Sequence, residues 1–126
     1  MYYVKNKWAI AKKQEYNGFQ YDSKFEAGIA QDLDLRVKAG ELTHYDKQKR
    51  IELIVNGYII TTYIIDFVAY HTDGTIEYLE AKGLASEVWK IKWKIFEALY
   101  SDKPNTILTI IFQGKSWKPR LRKLKQ

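Results

Sequence analysis

Cysteine is absent from the 126-residue chain, which excludes a disulfide framework and any thiolate metal site. Histidine occurs only as His44 and His71, both near loop edges and without an assigned role, so a histidine-rich metal centre is disfavoured as well. A metal bound here would have to use carboxylates and carbonyls, the hard donors that suit magnesium or manganese. Long apolar runs are missing too. The longest are strand-length, and the segment 1–13 has no continuous apolar stretch, so neither a signal peptide nor a membrane span is expected and the chain reads as cytoplasmic. Its length suits one domain with one core.

Basic residues are abundant and unevenly placed. Lys115, Lys118, Arg120, Arg122, Lys123 and Lys125 crowd the last twelve positions without an acid, and Lys5, Lys7, Lys12 and Lys13 open the chain in the same way. The net charge is +6, yet the body between these ends is net acidic. Basic arms that include Trp8 and Trp117 suit a phosphate backbone with bases to stack. A solvated tail that aids solubility explains the C-terminal run equally well.

Local patterns divide the chain. Asn17-Gly18 lies between two short aromatic and β-branched stretches and predicts a tight hairpin within an N-terminal arm, 1–21. Phe25, Ile29, Leu33 and Val37 recur every four residues and Gly40 follows them, predicting a helix from Ser23 to Ala39. The stretches 47–55, 58–70 and 74–82 are β-rich and separated by Asn56-Gly57 and Thr72-Asp73-Gly74, as in an antiparallel meander. Helical period returns over 85–101, with Trp89, Trp93, Phe96 and Tyr100 on one stripe; both tryptophans read as core. Pro104 then breaks the helix, and 106–112 is a short apolar strand of the doubly buried kind. A crossover would set it parallel to the third meander strand. The fold class is α/β, a mixed sheet flanked by helices over 22–113, followed by a basic tail, 114–126.

Charge converges within this frame. Strand alternation puts Ile76, Tyr78, Glu80 and Lys82 on one face, and Ile60, Thr62, Ile64, Asp66 and Val68 on one face of the strand before. Asp66 interrupts an apolar run, which is unfavourable unless it is paired, hydrated or cation-bound. Counting outward from the turn at Asp73-Gly74 pairs Asp66 with Glu80 or its neighbour, and directly opposed residues lie ~5 Å apart. Two carboxylates at that range repel, and a shared cation or a raised pKa relieves them. Glu26 extends the inward stripe of the first helix through Ala30, Leu33 and Val37. It also completes Ser23-Lys24-Phe25-Glu26, a capping box in which it would only serve the backbone. A structural ion-pair cluster accounts for the same charges without metal.

The order of these features resembles the PD-(D/E)XK nuclease superfamily: a glutamate on an opening helix, a strand aspartate, then E-x-K on the next strand, followed by a helix and a strand. Ile65 stands at the loosely kept proline position. The stretches 17–33 and 45–53 and the lysine-rich second helix also look like a group of short phage-encoded endonucleases. The resemblance covers about residues 5–113. It implies a restriction-endonuclease-like α-β-β-β-α-β core and Mg²⁺-dependent cleavage of DNA, with Mn²⁺ able to substitute. Asp66, Glu80, Glu26 and the backbone carbonyl of Ala81 would be the metal ligands, and Lys82 would handle the attacking water. Gln48 and Lys49 resemble an auxiliary polar pair beside such a site, and a solvated strand start explains them equally well. Lys90 and Lys94, four apart on the second helix, would face DNA or simply form its solvated surface, and the tail residues Lys115, Lys118, Arg120, Arg122 and Lys123 would contact the phosphate backbone. Symmetrical cutting of a DNA junction would further require a homodimer. A non-catalytic nucleic-acid-binding module on the same fold is the competing expectation.

Overall fold

The two Asn-Gly pairs each place consecutive residues at positive φ, Asn17 at 51° with Gly18 at 79° and Asn56 at 52° with Gly57 at 82°. That combination is the tight hairpin turn whose twist matches its flanking strands. A computed structural model describes residues 2–6, 14–21, 23–113 and 121–124. The first pair joins β2 (Gln14–Tyr16) to β3 (Phe19–Tyr21), and the second joins β4 (Leu42–Val55) to β5 (Tyr58–His71). The remaining elements are β1 (Tyr2–Asn6), α1 (Lys24–Lys38), β6 (Ile76–Lys82), α2 (Glu87–Tyr100) and β7 (Thr106–Gln113).

Both helices start on a serine. Ser23 Oγ accepts from the Glu26 N–H at 3.2 Å and Ser86 Oγ accepts from the Trp89 N–H at 3.1 Å, each satisfying one of the donors that a helix start exposes. The chain order from α1 onward is α-β-β-β-α-β, as expected. The mixed sheet runs β1-β7-β6-β5-β4, with β4, β5 and β6 antiparallel and β7 parallel to β6. One strand was not anticipated. Tyr2–Asn6, assigned by sequence to the N-terminal arm, pairs in parallel with β7 at the sheet edge, so only residues 14–21 form the separate hairpin.

Helices cover both faces of the sheet. Phe25, Ile29, Ala30 and Leu33 of α1 pack with Leu42, Phe67, Ala69, Leu79 and Ala81. On the other face Trp89, Trp93 and Phe96 of α2 pack with Leu53, Tyr63, Ile65, Val68, Leu108, Ile110 and Phe112. Trp93 is fully buried, so Trp93→Ala should remove about 3–5 kcal/mol of stability.

The strict alternation expected of β5 is not kept. Tyr63 and Ile65 pack on the α2 side, Phe67 and Ala69 on the α1 side, and Val68 again on the α2 side. The strand therefore changes phase at Asp66. Opposite it on β4, Gln48 takes φ 52°, while its neighbours keep register, Lys47 with Phe67 and Lys49 with Ile65. Ile60 and Ile64, expected on one face with Val68, are exposed, whereas Val68 is buried.

Candidate functional site

The β5–β6 ladder ends at Phe67–Leu79, and the next residues outward are Asp66 and Glu80. Beyond them β5 continues to its turn with β4, whereas β6 stays with β7 as far as Lys82 and Phe112. The two strands fork, and the carboxylates stand at the fork. A cleft of about 600 Å³ opens there, lined by Glu26, Gln48, Arg50, Thr62, Tyr63, Ile64, Asp66, Glu80, Ala81, Lys82, Trp89 and Lys92 among others.

Asp66 and Glu80 are both buried. Where the ladder stops, Asp66 Oδ2 accepts the Ala81 N–H at 2.9 Å. Glu80 Oε1 accepts from the Tyr63 hydroxyl at 2.5 Å, and its Oε2 lies 3.9 Å from Lys82 Nζ. Burial first, and the Asp66 charge second, push the Glu80 carboxyl well above its ordinary value, while the Tyr63 bond and Lys82 offset part of the rise. Burial and the same Glu80 charge push the Tyr63 phenol upward, so Tyr63 remains a donor. Lys82 Nζ lies over the Trp89 ring, 4.6 Å from its centroid, an attraction between cation and ring quadrupole.

Glu26 reaches the same cleft and also lines a second cavity of about 210 Å³ with Ser23, Lys82, Gly83 and Gln113. The Ser23 hydroxyl caps the helix start, and Glu26 lines both cavities. Gln48 lines the cleft as expected. Lys49 does not: its Nζ donates to the Tyr70 hydroxyl at 2.9 Å and lies 3.6 Å from Asp46. Lys90 pairs with Glu87 at 3.1 Å, and Lys94 is exposed outside the cleft lining. The lysine of α2 that reaches the cleft is Lys92, whose Nζ donates to the Thr62 carbonyl at 3.0 Å. Arg122 and Lys123 are exposed in irregular chain, and Lys115, Lys118 and Arg120 lie outside the described residues.

Sequence reasoning missed Tyr63, Arg50, Lys92 and the contact of Trp89 with Lys82. A signal for Tyr63 existed, since a phenolic hydroxyl inside "TTYIIDF" needs a buried partner. For Lys92 it was the phase of α2: Trp89 lies one helical turn before it and faces the same side.

Among the described residues no three His, Cys, Asp or Glu side chains gather at metal-ligand spacing. Asp66 and Glu80 supply hard oxygen donors and a local excess of negative charge, which fits a cation such as Mg²⁺. At the other end of β6, Glu77 is also buried but is met by Arg36 at 3.3 Å, His71 Nε2 at 2.8 Å and the Thr109 hydroxyl at 2.8 Å. Asp34 accepts from Tyr16 and Tyr45 and ties the small hairpin and β4 to α1. Among the described residues no helix is long and apolar enough to cross a membrane.

Fold and cleft thus define a mixed α/β protein whose sheet forks around a carboxylate–lysine site. The chain belongs to the family described as "Protein of unknown function (DUF1064)", whose model matches residues 5–115. No curated protein and no solved structure matches it.

Proposed function

We propose that the chain is a metal-dependent endonuclease that hydrolyses phosphodiester bonds in DNA, of the phage-encoded PD-(D/E)XK kind that serves replication, recombination or packaging. The observation that carries this reading is the fork: two buried carboxylates on diverging strands, with a lysine over the same cleft. Asp66, Glu80 and the Ala81 carbonyl would hold Mg²⁺, with Glu26 acting directly or through water. When bound, such an ion polarises the phosphoryl oxygen and acidifies a water.

The chain's own residues do the rest. Lys82 orients the attacking water and offsets negative charge that grows on the phosphoryl oxygens. Arg50 and Lys92 on the cleft walls bring positive charge to the flanking phosphates. A branched substrate cut on two strands would call for a homodimer. A non-catalytic DNA-binding module on the same fold is the second reading.

Incubation with supercoiled, linear and four-way-junction DNA in Mg²⁺, Mn²⁺ or EDTA separates the two. Cleavage confined to the metal-containing reactions, and lost in Lys82→Ala with folding and DNA binding intact, supports the nuclease. Binding without cleavage in every reaction selects the module.

A further inference from the structure

Glu80 and Lys82 are held by two residues that do not face the cleft through a carboxylate or an amine. The Tyr63 hydroxyl donates to Glu80 Oε1 at 2.5 Å and accepts from Trp89 Nε1 at 3.4 Å. The Trp89 ring carries Lys82 Nζ at 4.6 Å, and Lys82 Nζ returns to Glu80 Oε2 at 3.9 Å. Side chains from β5, β6 and α2 therefore close a ring around the fork.

Each link limits a freedom the site would otherwise have. A glutamate carboxyl turns broadly about its last torsion, and the Tyr63 bond selects the orientation that leaves Oε2 toward Lys82. A lysine side chain has many accessible rotamers, and the ring selects those that keep its ammonium beside Glu80. Trp89 is itself fixed, by the bond from its backbone N–H to the Ser86 hydroxyl at 3.1 Å and by stacking of its ring on Trp93 at 5.9 Å between centroids. Lys92 fastens the same turn of α2 to the Thr62 carbonyl.

We propose that Tyr63 and Trp89 are positioning residues that hold Glu80 and Lys82 as one unit, so that the start of α2 sets the geometry of the catalytic pair. The catalytic half of this statement rests on the nuclease reading; the placement of Lys82 on Trp89 does not.

The test uses the full chain with Tyr63→Phe, Trp89→Phe and Trp89→Leu, and two readouts. In proton–carbon NMR the Lys82 ε-methylene protons should resonate upfield of their random-coil position because of the Trp89 ring, return toward it in Trp89→Leu, and move in Tyr63→Phe. In single-turnover cleavage with Mg²⁺, Tyr63→Phe should lower the rate constant about 10- to 100-fold with DNA affinity nearly unchanged. Trp89→Phe keeps a ring beneath Lys82 but removes the Nε1–H, and so reports on the Tyr63 link even if Tyr63→Phe fails to fold. Wild-type rates in both Tyr63→Phe and Trp89→Phe, or a Lys82 signal unmoved by Trp89→Leu, would overturn the proposal. A wild-type chain that cuts nothing while Trp89→Leu still moves the Lys82 signal overturns the nuclease reading and leaves the positioning intact.

Discussion

Glu77 and Glu80 share one strand, are both nearly inaccessible to solvent, at 8% and 4% exposure, and point to opposite faces of the sheet. Their surroundings differ in kind. Glu77 meets a guanidinium, an imidazole and a hydroxyl, partners that neutralise a buried carboxylate and make it part of the scaffold. Glu80 meets a second carboxylate, a phenol and an ammonium at 3.9 Å. One end of β6 is balanced in charge, while the other is left with an excess that a cation would relieve. A balanced and an unbalanced carboxylate thereby stand three residues apart on one strand.

The contrast is broken most severely at the fork. Asp66→Asn should lower metal-dependent cleavage at least about 10³-fold, roughly 4 kcal/mol of barrier, without lowering the melting temperature, because it removes a repulsion. A variant that still cuts at the wild-type rate ends the assignment. Next in size, Arg36→Ala should destabilise by about 2 kcal/mol in urea unfolding, since it strips a buried carboxylate of its cation while His71 and Thr109 remain. Equal losses in Arg36→Ala and Asp66→Asn would erase the distinction between the two ends.

Glu80→Gln sharpens it through pH. Because the folded-state carboxyl titrates above its unfolded value of 4.5, folding takes up a proton between the two. The stability this contributes is fully present below 4.5 and is lost as pH rises through the raised value. The stability difference between wild type and Glu80→Gln should therefore grow in favour of the variant as pH is raised from acid toward neutrality in matched urea titrations. A difference that is constant with pH contradicts the raised carboxyl. Smallest, Thr109→Val should cost about 1 kcal/mol through the lost bond to Glu77, with no effect on cleavage.

Much of the frame was legible because local chemistry dictates it. Asn17-Gly18 and Asn56-Gly57 specify their turns whatever surrounds them, and Ser23 and Gly40 bound a helix that ends within a residue of the expected limits. The E-x-K pair and Asp66 were also legible, since a charge among β-branched residues needs a reason. Tyr2–Asn6 was not, because its pairing depends on a strand at the far end of the sequence. The opening of β4, Leu42 to Asp46, carries too many polar side chains to announce a strand. Period-two reasoning failed at Asp66 and Gln48, where the backbone changes phase, so Ile60 and Ile64 do not share a face with Val68. Lys90 and Lys94 were singled out by spacing alone, but the burial of Trp89 and Trp93 sets the rotation of α2, and that rotation delivers Lys92.

The parallel pairing of β1 with β7, in which Tyr2 lies beside Thr109, bears on how the chain reaches its native state on a ribosome. β1 is made before β7 and must wait for it. The α1 helix and the β4–β6 meander can assemble from neighbouring sequence as they emerge, whereas β7 remains an exposed edge until β1 returns to cover it, a long-range closure of the kind that slows folding. Sheet completion, and with it shielding of β7 from intermolecular pairing, should therefore follow assembly of the meander.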